Sequence, residues 1–279
     1  MRRLLVCSKQ DLPSVNMKNC LLNLMDWEEI GSCEDGVMLK SDNTYMLSSD
    51  KWHVDFDNVV EASCEIGIDP ELVIFMSRHS SKSGRPTLTV HPLGNYHGND
   101  LGGLPEKLVK AAPHHMSEAL RSISSINYME DMEVAFEVTH HGPWLDRPTF
   151  FIEIGSDETH WGNKDAAEIL ARVIAENKKS DYPSVVGIGG GHYAPRFTEA
   201  ALSRKVDFGH MIPNYQLESS DDEDIARMMR DACEATDTKI IFLHRKSMKG
   251  KDASRIRDIS ESEGFEVTSS SDFDLITDD

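Results

Sequence analysis

Runs of consecutive apolar residues alternate along the chain with segments in which apolar residues recur every three or four positions. The first pattern is typical of buried strands, and the second is typical of helices packed on a sheet. The apolar runs predict strands over residues 4–7, 45–48, 52–56, 71–77, 87–91, 132–139, 149–154, 185–188 and 239–243. The helical periodicity runs through Leu21, Leu22 and Met25 and predicts further helices over residues 105–111, 114–123, 157–178, 197–203, 221–235 and 254–262.

This alternation of strands and helices favours an α/β fold. We expect a mostly parallel or mixed sheet flanked by helices, because strands joined through helices pair in parallel. We expect one α/β domain over residues 1–279, within which residues 80–130 could form a smaller subregion. With 279 residues, 39% of them hydrophobic, the chain can bury a substantial core.

Length and composition exclude several classes of protein. No apolar run approaches the roughly 18 to 20 residues needed to cross a bilayer, and the start at Arg2 and Arg3 lacks the apolar segment of a signal peptide. We therefore expect a cytoplasmic monomer with no membrane partner. The five cysteines are scattered without a CxxC pair, which argues against a disulfide framework and against a cysteine-based zinc site.

The formal net charge of −19 disfavours passive binding of nucleic acid, because a strongly acidic surface repels polyanions. Phosphate binding depends on local cations rather than on the total charge. Arg78, Lys82 and Arg85 form a cationic stretch with few acidic neighbours, and residues 245–251 form a second one. Either stretch could instead be a solvated loop, and for the second one the solvated loop is the favoured explanation.

Histidines follow several of the predicted strands and lie in short segments rich in glycine and proline. The segments contain His79 and His91, His140 with His141, His192, and His210. Ligands of open α/β sheets commonly bind where strands hand over to loops. This placement indicates an enzyme, with the imidazoles gathered at one edge of the sheet.

The alternation of side chains along the strand over residues 132–139 places Glu137, Thr139 and His141 on one face and His140 on the other. A carboxylate and an imidazole on one face suit a metal site or a general acid–base pair. A hydrogen-bonded polar pair at the strand end, without chemistry, is the alternative.

A glycine run at residues 187–191 follows a predicted strand and resembles a turn that cradles phosphate. Glycines permit positive φ and let backbone N–H groups approach an anion. The run matches neither GxGxxG nor GxxxxGK[ST] in full, so it supports a nucleotide cofactor only weakly. A tight strand-to-helix turn without chemistry is the alternative. His192, Tyr193, Arg196 and Glu199 follow on the loop and the first helical turn.

Several ordered motifs together resemble the D-aminoacyl-tRNA deacylase family of the archaeal and plant type. They are residues 77–86, 91–95, 139–143, 189–196, and Gly209-His210 with Pro213. The opening residues 8–16 are also similar to the start of that family, although Pro13 stands where the family has a small residue such as alanine. The resemblance covers about residues 8 to 213.

The resemblance implies hydrolysis of the ester that joins a D-amino acid to the terminal ribose of tRNA, which keeps D-residues out of translation. It further implies dependence on Zn²⁺ and an α/β fold likened to those of peptidyl-tRNA hydrolases and nucleoside phosphorylases. The partner would be the 3′ end of D-aminoacyl-tRNA.

Residue roles follow as a hypothesis from motif position and strand parity. The expected catalytic residues are His79, Glu137, His140, His141 and His192. The expected zinc ligands are His91, Glu137, His141, His192 and His210. The residues expected to bind substrate or tRNA are Arg78, Lys82, Arg85, Gly189, Gly190, Gly191, Tyr193 and Arg196.

Two other functions remain open at this point. A phosphate-dependent enzyme like a nucleoside phosphorylase, or an amidohydrolase, would use the glycine turn for phosphate and would turn over a free nucleoside. A non-catalytic module would bind tRNA or zinc without turnover.

Overall fold

Twelve strands form two sheets within residues 1–33 and 35–277, which the computed structural model describes. The strands are β1 (Arg3–Ser8), β2 (Glu28–Cys33), β3 (Gly36–Ser41), β4 (Thr44–Ser49), β5 (Leu72–Arg78), β6 (Thr87–His91), β7 (Glu133–Phe136), β8 (Thr149–Gly155), β9 (Ser184–Ile188), β10 (Asp207–Ile212), β11 (Ile240–Leu243) and β12 (Glu266–Thr268). The larger sheet has the order β2-β3-β4-β1-β5-β8-β6-β7, and the smaller has the order β10-β9-β11-β12.

The larger sheet is mixed and the smaller one is parallel. Strands β4, β1, β5 and β8 run parallel to one another, whereas β6 is antiparallel to β8 and carries β7 parallel to itself. At the other edge β3 is antiparallel to β4, and β2 is antiparallel to β3. Because β6 runs antiparallel to β8, the last residues of β6 and β7 lie beside the middle of β8.

Helices cover the faces of both sheets. They are α1 (Leu12–Leu24), α2 (Val59–Glu65), α3 (Pro113–Ile126), α4 (Glu158–Trp161), α5 (Lys164–Glu176), α6 (Pro195–Ser203), α7 (Asn214–Glu218), α8 (Asp222–Thr236) and α9 (Gly250–Ser262). Helices α1 and α5 pack against each other, and α3 packs against β6 and β10, so that it joins the two sheets. The prediction of an α/β fold with a mixed sheet flanked by helices is confirmed.

Side-chain alternation in the central strands separates two hydrophobic clusters. In β8, Phe150 and Ile152 join the cluster under α1, α3 and α5, while Phe151 joins the cluster on the opposite face. The first cluster also contains Phe197, Phe208 and other residues of the smaller sheet and its helices. The expectation of a single domain stays a prediction, although both sheets contribute to this one cluster.

Four predicted elements differ from the structure for local reasons. The predicted strand 52–56 is a 3₁₀ turn at His53–Asp55, because the buried His53 and Phe56 recur at helical spacing. The predicted helix 105–111 is extended chain, since Glu106 has a φ of +54°, which a helix cannot continue. The predicted helix 157–178 divides into α4 and α5, and the predicted strand 132–139 ends at Phe136.

Strands β2, β3, β10 and β12 were not predicted. Most side chains of β2 and β3 are half-buried or exposed, and in β2 none is buried, so the sequence carries no apolar run there. Strand β10 is fully buried, but Asp207, Gly209 and His210 interrupt its apolar residues. Among the described residues, no helix has the length and apolar character needed to span a membrane. All five cysteines, which lie among the described residues, are unpaired.

Candidate active site

Histidines from four separate loops and strand ends line one cavity of about 430 Å³ on the Phe151 face of the larger sheet. The cavity is lined by Asp11, Trp52, His53, Val54, Ser77, Arg78, His79, Ser80, Leu101, His140, His141, Phe151, Glu153 and His192. His91 lies behind this lining, with its ring stacked on Phe151 at a centroid distance of 5.0 Å. The expectation that these imidazoles gather is confirmed for five of the six.

The strand ends explain how the imidazoles meet. His79 follows the parallel strand β5, and His91 ends β6, where it is the register partner of Phe151. His140 and His141 lie on the turn after β7, and His192 follows the glycine run after β9. The backbone N–H of Val138 donates to the carbonyl oxygen of His192 at 2.9 Å, which joins the ends of the two sheets.

Three histidines form a first group whose side-chain nitrogens could hold a metal ion. One nitrogen each from His91, His140 and His141 lies within 4.8 Å of the other two. Each Nδ1 donates to a backbone carbonyl: His91 to Pro92 at 3.1 Å, His140 to Val138 at 2.7 Å, and His141 to Gly142 at 3.0 Å. A carbonyl oxygen can only accept, so Nδ1 carries the proton and the Nε2 lone pair remains available in each ring. This tautomer is the one that a metal ligand needs.

A carboxylate organises the second group, which contains His79, Glu137 and His192. The Oε2 atom of Glu137 lies 2.7 Å from Nε2 of His192 and 3.0 Å from Nδ1 of His79. The same oxygen is 3.5 Å from Nε2 of His140, so the two groups adjoin. The other ring nitrogen of His79 is 3.0 Å from the Tyr193 hydroxyl.

Two buried polar atoms of these groups have no hydrogen-bond partner among the described residues: Nε2 of His91 and Oε1 of Glu137. A buried polar atom without a partner costs on the order of 1–3 kcal/mol, and such atoms are rare in native proteins. Imidazole nitrogen and carboxylate oxygen are ligands that Zn²⁺ accepts. The residues therefore fit a zinc ion, which would satisfy the unpaired Nε2 of His91, with the unpaired carboxylate oxygen of Glu137 in the adjoining group.

Electrostatics separates the two groups. Burial lowers the pKa of His91 to about 4 and that of His141 to about 3, and it holds the pKa of His140 well below its usual value. These three rings are therefore neutral at physiological pH, as metal ligands must be.

Glu137 carries the charge of the second group. Burial alone would raise the pKa of the Glu137 carboxyl, but hydrogen bonds from His192 and His79 outweigh burial and hold the pKa well below its usual value. Burial opposes protonation of His79 and His192, yet the bonds to Glu137 raise the pKa of both imidazoles. The second group thus pairs a carboxylate with histidines that hold a proton readily.

Glu153 was not predicted as a site residue. It lies on β8 with its Oε2 3.7 Å from both His79 Nδ1 and His91 Nε2, so it contacts both groups. Burial raises the pKa of its carboxyl well above the usual value, and the negative charge of Glu137 adds to this effect. A glutamate inside the otherwise apolar run Thr149–Gly155 was the signal that could have identified it.

The family model described as D-aminoacyl-tRNA deacylase matches residues 66–268. The D-aminoacyl-tRNA deacylase of Methanococcoides burtonii is 37% identical over 274 residues, which cover 96% of this chain and 56% of that protein. The D-aminoacyl-tRNA deacylase of Methanosarcina mazei is 36% identical over 277 residues, which cover 96% of this chain and 92% of that protein.

The chain belongs to the D-aminoacyl-tRNA deacylase family. It spans little more than half the length of the M. burtonii relative and nearly all of the M. mazei relative. A crystal structure of a conserved protein of unknown function matches with a TM-score of 0.89 and 33% identity over 99% of both chains. Futalosine hydrolase of Helicobacter pylori matches more weakly, with a TM-score of 0.40 and 11% identity over 63% of this chain.

The strand parity predicted for this member of the deacylase family is wrong beyond Phe136, where β7 ends. The Glu137 carboxylate lies near ring nitrogens of His140, His79 and His192, whereas in the described structure no ring nitrogen of His141 is within 4.0 Å of it. His141 has a φ of +43°, so the chain turns there instead of alternating. The carboxylate and His141 therefore belong to adjoining groups rather than to one pair.

His210 is not brought together with the other histidines. It lies within β10 and is fully buried, with Nδ1 3.0 Å from the Thr139 hydroxyl and Nε2 donating to the carbonyl of Val109 at 2.8 Å. Both ring nitrogens are thus engaged by the protein, and neither is available to a zinc ion. In this deacylase-family chain, His210 fixes the smaller sheet against the segment that precedes His140.

The backbone N–H groups of the glycine run, which were expected to bind a phosphate or a substrate carbonyl, mostly form hydrogen bonds within the protein. The N–H of Gly189 donates to the carbonyl of Ile212 at 2.8 Å, and the N–H of Gly190 donates to Ser247 Oγ at 2.9 Å and Asn214 Oδ1 at 3.1 Å. Gly191 is exposed. The amides of Gly189 and Gly190 are therefore not free to receive a phosphate or a substrate carbonyl.

The predicted tRNA-binding residues divide by position. Arg78 lines the cavity, and Tyr193 contacts His79 at its edge. Lys82 and Arg85 are exposed, and Arg85 pairs with Glu133 at 3.3 Å. Arg196 pairs with Glu199 at 2.6 Å and bonds to the Ser270 hydroxyl, which draws it towards the C-terminal segment.

A third group of potential ligands, His97, Glu106 and Asp224, lies on the surface away from the cavity. The guanidinium of Arg227 is 2.5 Å from Asp224 Oδ1 and 3.6 Å from Glu106 Oε1. An arginine already supplies the positive charge that these carboxylates need, so they form an ion-pair network.

Proposed function

We propose that this protein hydrolyses the ester bond between a D-amino acid and tRNA and releases free D-amino acid and tRNA. The observation that carries the proposal is the cavity of the deacylase family member, in which three neutral imidazoles adjoin the charged group of Glu137, His79 and His192. Such an arrangement combines a site for a Lewis acid with a site for proton transfer, which ester hydrolysis needs. The activity would act in translation quality control and D-amino acid detoxification in the cytoplasm.

His91, His140 and His141 are the residues that we assign to Zn²⁺. Catalytic zinc sites use three protein ligands and keep one position open, and three imidazoles with free Nε2 lone pairs meet that requirement. When bound, zinc polarises an ester carbonyl and lowers the pKa of water to about 7. The backbone carbonyls that accept from each Nδ1 hold the three rings in orientation.

Glu137, His79 and His192 are the residues that we assign to proton transfer. Glu137 is fully buried and holds both imidazoles by hydrogen bonds, whereas the side chain of His192 is 35% exposed and faces the cavity. We therefore assign to His192 the proton that the ribose oxygen takes up when water adds to the ester carbonyl carbon and the C–O bond to the ribose breaks. His79 is held between Glu137 and Tyr193 and keeps the carboxylate in register with His192.

The arginines and lysine around the cavity are the residues that we assign to the tRNA end. Arg78 is on the cavity wall, and Lys82 and Arg85 extend from the following loop into solvent. In a chain of net charge −19, a local group of cations is what a polyanion needs to approach. We expect salt to weaken binding of tRNA accordingly.

The decisive experiment measures deacylation of matched D- and L-tyrosyl-tRNA by the purified protein, with and without a chelator and then with zinc restored. The proposal predicts release of D-tyrosine only, loss of release on chelation, and recovery with zinc. Release of D-tyrosine that is unchanged by the chelator would support the activity and show that it does not depend on zinc. No release from either ester would overturn the proposal, and phosphate-dependent cleavage of a free nucleoside would replace it by the phosphorylase-like alternative. Binding of tRNA or zinc without turnover would indicate the non-catalytic module.

A further inference from the structure

One arginine of the cavity wall contacts two aromatic rings. The guanidinium carbon of Arg78 lies 4.7 Å from the ring centroid of Trp52 and 4.4 Å from that of Trp161. Both distances are within the range of a cation–π contact, which extends to about 6 Å. Two indoles therefore hold the guanidinium in the cavity wall.

Two hydrogen bonds to backbone atoms hold Trp161 and Arg78 in this arrangement. The indole N–H of Trp161 donates to the carbonyl of His79 at 2.8 Å, so the ring of α4 is tied to the segment that carries the arginine. The backbone N–H of Arg78 donates to Oδ2 of the buried Asp11 at 3.1 Å. A guanidinium held in this way loses little freedom when it binds a ligand.

The N–H donors of Arg78 have no acceptor within the described residues. Of the carboxylates in residues 1–33 and 35–277, none lies within 4.0 Å of its guanidinium, and the Arg78 side chain forms no hydrogen bond with any of these residues. By contrast, Arg121, Arg227 and Arg230 each bond to carboxylates. The two indole contacts satisfy none of the five N–H groups of the Arg78 guanidinium with an oxygen acceptor, so these donors are available to an external one.

The position of Arg78 limits what that acceptor can be. Arg78 and His79 are consecutive residues that line the same cavity, so the guanidinium lies close to the place where the substrate ester would react. In an aminoacyl-tRNA the α-ammonium group is positive, and the nearest negative charge to the ester is the phosphodiester on the 5′ side of the terminal ribose. Two parallel N–H donors match two oxygens of such a group.

We infer that Arg78, clamped by Trp52 and Trp161, binds the 5′ phosphodiester of the terminal tRNA nucleotide and thereby sets the ester at the histidine groups. The inference rests on the proposed function and names the part of the substrate that this wall of the cavity recognises. Arg78 is a binding residue in this account, and the two tryptophans are positioning residues.

The test uses binding, so that it does not depend on turnover. Affinities of the intact protein for adenosine and for adenosine 5′-(methyl phosphate) are measured by calorimetry, with the wild type, Arg78→Gln and Arg78→Lys. The wild type is expected to bind the phosphodiester at least about tenfold more tightly than adenosine. Arg78→Gln should reduce this preference to near unity and leave the affinity for adenosine unchanged, and Arg78→Lys should retain part of it because the charge remains without the planar fork.

Controls separate the clamp from charge and from folding. Arg172→Gln removes one exposed positive charge on α5, where Arg172 pairs with Glu168, and should keep the full preference. Trp161→Phe keeps an aromatic face and should keep most of the preference, whereas Trp161→Leu should lose it. Free D-tyrosine is titrated as well, because a product carboxylate could also meet the guanidinium.

Three results would each overturn the inference. They are equal affinity of the wild type for adenosine and for the phosphodiester, undetectable binding of the phosphodiester at millimolar concentration, and an unchanged preference in Arg78→Gln. Binding of D-tyrosine that depends on Arg78 while the phosphodiester preference does not would assign the clamp to the product carboxylate and equally overturn it. Failure of the proposed function is seen separately, as absence of D-tyrosyl-tRNA hydrolysis by the wild type.

Discussion

Glu137 Oε2 lies 2.7 Å from His192 Nε2. Glu137 follows β7 of the larger sheet, and His192 follows β9 of the smaller sheet, so this hydrogen bond joins the two sheets at the candidate active site. Because Glu137 is fully buried, its charge is balanced by the imidazoles of His192 and His79 rather than by water. The group of Glu137, His79 and His192 is therefore assembled only when both sheets are in place.

Replacing Glu137 by glutamine removes the charge and keeps the shape. We expect Glu137→Gln to lower kcat for D-tyrosyl-tRNA at least about 100-fold, because proton transfer typically contributes a factor of that order or more. The pKa values of His79 and His192 should fall, since Glu137 raises both, and titration of the ring protons by NMR measures this. Glu133→Gln, on the exposed side of β7, is the matched control and should retain activity. Full activity of Glu137→Gln would contradict the assignment.

Zinc content distinguishes the roles of the two histidine groups. We expect one zinc ion per chain in the wild type, loss of that ion in His141→Ala, and retention of it in His192→Ala, which should nevertheless be inactive. The reason is that His141 is in the group with free Nε2 lone pairs, while His192 is bonded to Glu137. Metal analysis of the purified proteins measures the content, with His97→Ala of the surface network as control. Equal loss of zinc from His141→Ala and His192→Ala would place the metal in both groups.

Acid should destabilise the protein through the buried His210. Burial lowers the pKa of His210 in the fold to about 4, whereas an unperturbed histidine titrates near 6.5. Between these values the unfolded chain binds a proton that the folded chain does not, so the free energy of unfolding falls as pH drops from about 6.5 towards 4. For this one group the loss between pH 7 and pH 5 is about 2 kcal/mol.

Urea unfolding at several pH values measures that loss. His210→Gln lacks the titrating ring and should show a pH dependence smaller by this amount, whatever its absolute stability. An identical pH dependence in the wild type and the variant would show that His210 does not contribute.

Close backbone packing beside the cavity should make one glycine irreplaceable. A Cβ added at Gly142 would lie 2.2 Å from the backbone nitrogen of Gly103, so either the His141 turn or the 102–103 loop must move. We expect Gly142→Ala to cost about 1–3 kcal/mol in the free energy of unfolding, as overpacking does, and to reduce activity by displacing His141. Gly98→Ala is the control, because nothing lies within 4 Å of an added Cβ there. Thermal unfolding and deacylation rates of both variants check this, and equal stability of the two would contradict it.

Much of the fold could be predicted from the apolar pattern, because a buried strand requires a run of apolar residues and an amphipathic helix requires apolar residues at every third or fourth position. Strand β6 was predicted with its observed ends, and β5 and β8 were predicted to within one residue at each end. Strands β2 and β3 could not be predicted from the sequence because they bury few side chains, so nothing in their composition distinguishes them from loops. The helix expected at 105–111 failed because the positive φ of Glu106 comes from its place in the fold, not from its residue type.

The sequence by itself determined which residue types could do the chemistry. The grouped histidines and the cations near Arg78 appear in motifs that resemble the deacylase family, Glu137 was singled out by strand parity, and the identities of all these residues do not depend on the fold. Only the tertiary structure decided how they are grouped. Because β6 pairs antiparallel with β8, His91 lies beside His140 and His141. His192, which follows a strand of the smaller sheet, lies within hydrogen-bond distance of Glu137.

The physical reason is that a ligand group is defined by distances of a few ångströms between residues far apart in the chain. The separation along the sequence between Glu137 and His192, or between Arg78 and Trp161, carries no information about such distances. The same holds for His210, whose ring looked available in the sequence and proved to be bonded on both nitrogens. Hydrogen bonding and burial, which only the fold creates, decide which histidines keep a free lone pair.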